Sequence, residues 1–160
     1  MKEVDYSFVI RRAVVSDAQN IKEIMLQSFI KYKSDAEIPG QLEAMSESIK
    51  DIENDITNKN VYIAFIDNIP VGSIRVEIRP DSSAYLTRFG VCPEYNKMGV
   101  GIALMSLVDK LMISHCVKRL TLHTASKNKD LIRFYYGRGF YIESTINDSG
   151  YIRALLVKNY

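Results

Sequence analysis

The sequence predicts an α/β (α+β) fold, a mixed sheet of about seven strands carrying about four helices, and three observations support this. Apolar patterns of strand and helix period succeed one another as strand, two helices, three strands, helix, strand, helix and two strands. Of the 160 residues, 47% are apolar and 25% charged, the balance of one ordinary domain spanning 1–160 with a substantial core. The segment 84–116 joins a strand-like run to a long helical stripe, with Gly99 and Gly101 at the junction.

Tyr6, Phe8 and Ile10 alternate with more polar neighbours and mark the first strand. Ser16 or Asp17 offers an N-cap, and Ile21, Ile24, Met25, Leu26 and Phe29 carry a helix to about Ile30, where Lys31 and Lys33 suit the negative end of its dipole. Pro39 and Gly40 interrupt the chain. A second amphipathic helix over about 41–57 shows Leu42, Met45, Ile49, Ile52 and Ile56 on one face. Strands 61–66 and 71–78 are joined by Asp67-Asn68-Ile69-Pro70, a connection of hairpin length.

Residues 80–83 turn the chain into the next strand, where Tyr85, Leu86, Thr87, Phe89 and Val91 suit burial on much of both faces until Pro93 ends it. Val100, Leu104, Leu107, Val108, Leu111 and Met112 form the stripe of the helix that follows. A strand over 119–124, a helix over 128–138 ended by Gly139, and strands 140–146 and 151–157 around the turn 147–150 complete the order.

The first turn of a helix leaves backbone N–H groups without intrahelical partners at the positive end of its dipole, so an anion fits there. Gly99 and Gly101 let phosphate approach without an intruding Cβ, with Asn96 and Lys97 just upstream; the same glycines also suit a bare strand-to-helix turn. A Walker loop is excluded because Ile102 and Ala103, not Lys and Ser or Thr, follow Gly101. A dinucleotide fingerprint is excluded because Leu104 occupies its third small position and the strand 119–124 offers no acidic residue for a ribose.

The run Val91-Cys92-Pro93-Glu94-Tyr95-Asn96-Lys97-Met98-Gly99-Val100-Gly101 resembles the acyl-CoA loop, Q/R-x-x-G-x-G/A, of the GNAT superfamily of N-acetyltransferases. Val91, Pro93, Glu94, Tyr95, Gly99 and Gly101 match a common form of it, Asn96 replaces the usual Gln or Arg, and Lys97 and Met98 stand where Gly-Lys is frequent. Backbone amides carry most of such a site and survive these changes. Residues 128–140 are similar to the family's N-x-x-A-x-x-(L/F)-Y-x-x-x-G-F, with Leu131 in place of Ala.

The resemblance implies a GNAT fold with a mostly antiparallel sheet and a V-shaped cleft between its two central strands. It implies acetyl-CoA as cosubstrate, held by Phe89, Gly90, Val91, Asn96, Lys97, Met98, Gly99, Val100, Gly101, Asn128 and Tyr135. It also implies that the Phe89 amide receives the oxyanion and that Tyr135 protonates the leaving thiolate; the alternative for Tyr135 is a core aromatic. The amine must lose a proton as well, and the position where some members carry a glutamate is Tyr85, so Glu77 and His123 are the substitutes.

The expected function is acetyl transfer from acetyl-CoA to a primary amine, with a noncatalytic acyl-CoA sensor as the alternative. Cys92 beside the loop lacks a sequence-evident His or acid partner and reads as a small buried thiol. Cys92 and Cys116 are too few and too far apart for a disulfide framework or zinc, and no metal is expected. A net charge of +2 and the lack of any Lys/Arg block argue against nucleic acid. The opening MKEVDYSFVIRR has no apolar signal region and no run approaches the roughly 20 apolar residues of a membrane span, so a cytoplasmic protein is expected. Family habit alone implies a homodimer.

Overall fold

A computed structural model describes residues 7–160. Strands β1 (Phe8–Arg12), β2 (Asn60–Ile66), β3 (Ile69–Ile78), β4 (Ser83–Val91), β5 (Arg119–Ala125), β6 (Tyr141–Ile146) and β7 (Arg153–Asn159) form one sheet in the order β1-β2-β3-β4-β5-β7-β6. Every neighbouring pair is antiparallel except β4 and β5, which run parallel and therefore need the crossover that a helix supplies. The helices are α1 (Ala18–Asp35), α2 (Glu43–Ser46), α3 (Ile49–Asn58), α4 (Val100–Ser114) and α5 (Lys129–Gly137). The crossover is α4. Tyr6, expected in the first strand, lies outside the described residues.

Side-chain alternation decides which helix covers which face. On β2, Val61 and Ile63 pack with Ile21, Ile24, Met25 and Ile52 of α1 and α3, while Ala64 and Ile66 join Leu104, Met105, Val108 and Met112 of α4. The sheet is thus covered on both sides. β4 is an exception to the expected two-sided burial, because Tyr85, Thr87 and Phe89 are only partly buried. All three line a cleft.

The two central strands pair only from Ser83↔Arg119 to Tyr85↔Thr121, after which they part. On its other side β4 is bulged: Ser73 pairs with Gly90 and Arg75 with Thr87, so Arg88 and Phe89 together oppose one residue of β3. Arg88 accordingly sits at φ 52°, in the left-handed region. The parting and the bulge together free the edge of β4 next to the crossover helix.

The single helix expected over 41–57 is two helices, which brings the total to five among the described residues. Glu47 and Ser48 are extended between them. Ser48 caps α3, its hydroxyl accepting from the Asp51 N–H while the Asp51 carboxylate accepts from the Ser48 N–H. Glu47 is drawn inward to Arg75, whose side chain is fully buried on β3. Smaller differences follow local chemistry. α1 runs on to Asp35 with a Lys31–Asp35 ion pair, β7 begins at Arg153, and β3 begins at Ile69. The β2–β3 turn is thereby reduced to Asp67 and Asn68, both left-handed at φ 48° and 66° as a two-residue hairpin requires.

Arg75 donates to Glu47 at 2.8 and 3.0 Å and to Asp55 at 2.9 Å, tying α3 and its preceding segment to the sheet. Removing the buried cation leaves Glu47 with Arg88 at 3.2 Å and Asp55 with Lys59 at 3.3 Å as their remaining ion pairs. Arg75→Met is expected to cost about 3 kcal/mol of stability. In a chain of this size that is roughly a 6–12 °C fall in melting temperature. Thermal denaturation followed by circular dichroism measures it, and an unshifted midpoint would show that the ion triad adds nothing net.

Candidate active site

Where β4 and β5 separate, the sheet opens into a cleft of about 890 Å³, toward the upper end of the ~300–1,000 Å³ usual for small-molecule sites. One wall is the free edge of β4 from Leu86 to Val91, and the other is β5 with Leu122, His123 and Thr124. α1 contributes Ser28, Phe29 and Tyr32, the α1–α2 connection contributes Pro39, Gln41 and Leu42, and α5 contributes Leu131, Phe134 and Tyr135.

Of the residues expected to hold a cofactor, Phe89, Gly90, Val91, Asn96, Lys97, Gly101, Asn128 and Tyr135 line this cleft. Met98, Gly99 and Val100 do not. Val100 is fully buried with Leu104 above Gly72, so only its backbone is available to a ligand. Gly99 is the N-cap of α4 at φ 81°, and a Cβ there would meet nothing within 4 Å. Its glycine is required by the backbone conformation, and the space beside it is open. Gly101 differs: its Cβ would stand 3.3 Å from the Phe89 ring and 3.6 Å from that of Phe134. Gly90 is small for another reason, since a Cβ would come within 2.2 Å of the Ser28 hydroxyl on α1.

Tyr135 is buried, 4% exposed, and its ring makes edge contacts with Phe89, Phe134 and Phe140 at centroid distances of 6.3, 5.6 and 5.6 Å. Burial pushes its phenol well above the ordinary tyrosine range, with Tyr32 adding to the shift. The Tyr32 hydroxyl accepts the Ala125 N–H at 2.7 Å, fastening α1 to the end of β5. Asn128 is also buried, and its Oδ1 caps α5 by accepting from the Leu131 N–H, which leaves its Nδ2 as a donor.

The two candidate bases separate clearly. Glu77 does not line the cleft; it is partly exposed and ion-paired with Arg79 and Lys59 at 3.5 and 3.8 Å. His123 lines the cleft, and its Nδ1 lies 2.6 Å from the Tyr85 hydroxyl. Neither this contact nor the bulge at Arg88 was signalled by the sequence. The first joins residues 38 apart along the chain, and the second places a non-glycine residue at positive φ. Cys92 is buried among the α1 and α3 side chains, and burial first, then Glu94, pushes its thiol up, away from the thiolate a nucleophile needs. Among the described residues no cluster of three or more His, Cys, Asp or Glu side chains could hold a metal, and no helix is long and apolar enough to cross a membrane.

Residues 22–140 match the sequence profile of the Acetyltransferase (GNAT) family. Solved structures with the same fold include PaiA N-acetyltransferase from Thermoplasma acidophilum in complex with coenzyme A. It is 24% identical with a TM-score of 0.85, over 96% of this chain and 99% of that one. A ribosomal-protein-alanine N-acetyltransferase from Escherichia coli aligns at 14% identity and TM-score 0.77, covering 96% of this chain and 94% of its own. A spermidine N-acetyltransferase SpeG chimera from Vibrio cholerae and hSSAT aligns at 16% and 0.72, covering 95% of each.

Proposed function

The chain belongs to the acetyltransferase (GNAT) family, and from that premise we propose that it transfers the acetyl group of acetyl-CoA directly to a primary amine. The observation that carries the proposal is the placement of Phe89 and Tyr135. Phe89 sits on the bulge where β4 has lost its partner on one side and its register on the other, and its ring touches that of Tyr135. In this reading the oxyanion donor and the proton donor share one cleft.

The residues present fit a CoA thioester. α4 offers the unpartnered N–H groups of its first turn beside the open flank of Gly99, with Lys97 at the cleft wall, for a diphosphate. The free edge of β4 at Gly90 and Val91 can pair with an extended amide-bearing arm as an added strand does, and Asn128 Nδ2 can donate to the same arm. What the cosubstrate brings is an activated acyl group on sulfur.

The protein's part in the chemistry is to receive charge and supply a proton. The Phe89 N–H meets the negative charge that develops on the carbonyl oxygen, in a site walled by aromatic rings where such a bond is stronger than in water. Tyr135 holds a proton at Oη for the departing sulfur. Its phenol is a weaker acid than a thiol of ordinary pKa about 8.5, so the transfer runs uphill unless the departing thiolate, desolvated in the same apolar pocket, is made more basic as well.

We also place the protein in the cytoplasm, consistent with its two free cysteines. The test of the transfer reaction is thiol release from acetyl-CoA over a panel of spermidine and an alanine-initiated peptide, acceptors suggested by what the structural relatives act on, with lysine as a simple primary amine beside them. Release that depends on at least one amine is expected. Tight binding of acetyl-CoA with no amine-dependent release across the panel would favour a noncatalytic sensor.

A further inference from the structure

Building on that transfer reaction, we propose that His123 takes the proton of the acceptor amine at Nε2 and that Tyr85 positions it by holding Nδ1. The last paired residues of the two central strands are Tyr85 and Thr121. His123 is the next β5 residue on the same face, and its imidazole reaches back across the opening to the Tyr85 hydroxyl at 2.6 Å, the rings edge-on at 5.7 Å. This hydrogen bond bridges the strands where their ladder ends. Both side chains line the cleft that also holds Tyr135.

The surroundings keep the imidazole unprotonated and the phenol intact. From β7, Arg153 faces the pair, itself bonded to Asp148 at 2.8 Å, with Tyr151 in the same connection. Arg79 lies over the Tyr85 ring at 5.5 Å, Arg88 comes from the bulge, and Tyr32, Glu43 and the Lys31–Asp35 pair line the cleft from α1 and α2. Burial, then Arg153, pushes His123 below the ordinary imidazole value, with Asp148 opposing. Burial pushes the Tyr85 phenol up, with Arg153, Arg79 and Arg88 opposing. Tyr85 therefore stays a neutral hydroxyl that can accept the Nδ1–H, leaving the Nε2 lone pair free.

The step balances. The amine lone pair forms the N–C bond, the carbonyl π pair moves to oxygen, and the N–H proton, made acidic by the new bond, passes to His123 Nε2. The carbonyl then re-forms, the C–S bond breaks, and the sulfur takes the Tyr135 proton. His123 and Tyr135 exchange the surplus and the deficit through solvent.

Two measurements test this. Nitrogen NMR of the uncomplexed protein should show His123 as the Nδ1–H tautomer, shifting toward a tautomer mixture in Tyr85→Phe; an Nε2–H tautomer in the native protein would overturn the assignment. In kinetics with the best amine of the panel, His123→Gln should lower kcat/KM by ~100-fold or more. It should also abolish a break in the pH profile that the native enzyme shows below about pH 6.5, the ordinary imidazole value. Acetyl-CoA affinity and melting temperature should stay put, and Glu43→Gln, which neutralises a carboxylate of the same cleft, should retain the break. A native enzyme that transfers acetyl while His123→Gln keeps its rate and its break would overturn this role and leave the transfer reaction standing. A native protein that binds acetyl-CoA and acetylates no amine would overturn both.

Discussion

Tyr135→Phe is expected to lower kcat by roughly 100- to 10,000-fold while leaving acetyl-CoA affinity as it was. The substitution removes one oxygen from a ring that is 4% exposed and held edge-on by Phe89, Phe134 and Phe140, so the packing around the cleft floor is retained. What is lost is the proton. Because burial raises the phenol well above its ordinary value, Tyr135 is fully protonated at every pH where the protein is used, and no alkaline loss of activity from this group is expected below about pH 10. Paired measurements decide between the two readings of this residue. A drop in kcat with unchanged calorimetric affinity assigns the acid, whereas an unchanged kcat with a lowered melting temperature returns Tyr135 to the core.

Gly99→Asp and Gly101→Asp are expected to weaken acetyl-CoA binding by roughly 10- to 150-fold, the equivalent of about 1.5 to 3 kcal/mol for a lost charge-assisted N–H contact to phosphate. The structure gives the two positions different reasons. At Gly99 a side chain meets no neighbour, so the loss of affinity comes from negative charge at the start of α4, while about 1–2 kcal/mol of strain at positive φ falls on stability. At Gly101 the new Cβ also presses on Phe89, whose amide is the proposed oxyanion donor, so kcat should fall together with affinity. Gly99→Ala is the control, since it adds strain without charge and should retain most of the affinity. Calorimetry on folded variants reads all three. Native affinity in both aspartate variants would remove the α4 terminus as the phosphate site.

Much of what is encoded locally was legible in the sequence. The stripe of α4, the helix starting near Asn128 and the turn-rich connection at 67–70 all rest on spacing or on neighbouring residues, and the structure has both helices and a turn shortened to Asp67 and Asn68. Long-range forces account for the differences. Leu42, Met45 and Ile49 have the period of one helix, but Glu47 is pulled to buried Arg75 and Ser48 restarts the helix as a cap. The Ser48-x-x-Asp51 pattern was present in the sequence as a signal for that restart.

The candidate site divides in the same way. The glycine run and residues 128–140 led to several residues that line the cleft, although counting along a motif could not tell that Val100 turns its side chain into the core. Gly90 was legible as a small residue, but the reason for its smallness, Ser28 on α1, is 62 residues away in sequence (90 minus 28). The bulge at Arg88 and Phe89 reads as uninterrupted strand because neither residue is a turn former. Its cause is the mismatch in pairing with β3.

The most direct measurement is product identity: the native protein incubated with acetyl-CoA and each amine of the panel, with small molecules and intact protein both analysed by mass spectrometry. Direct transfer predicts an N-acetylated amine and free CoA in equal amounts, with Cys92 and the rest of the protein unmodified. Acetyl-CoA hydrolysed or merely bound with no acetylated amine, or an acetyl group resident on the protein, would contradict it.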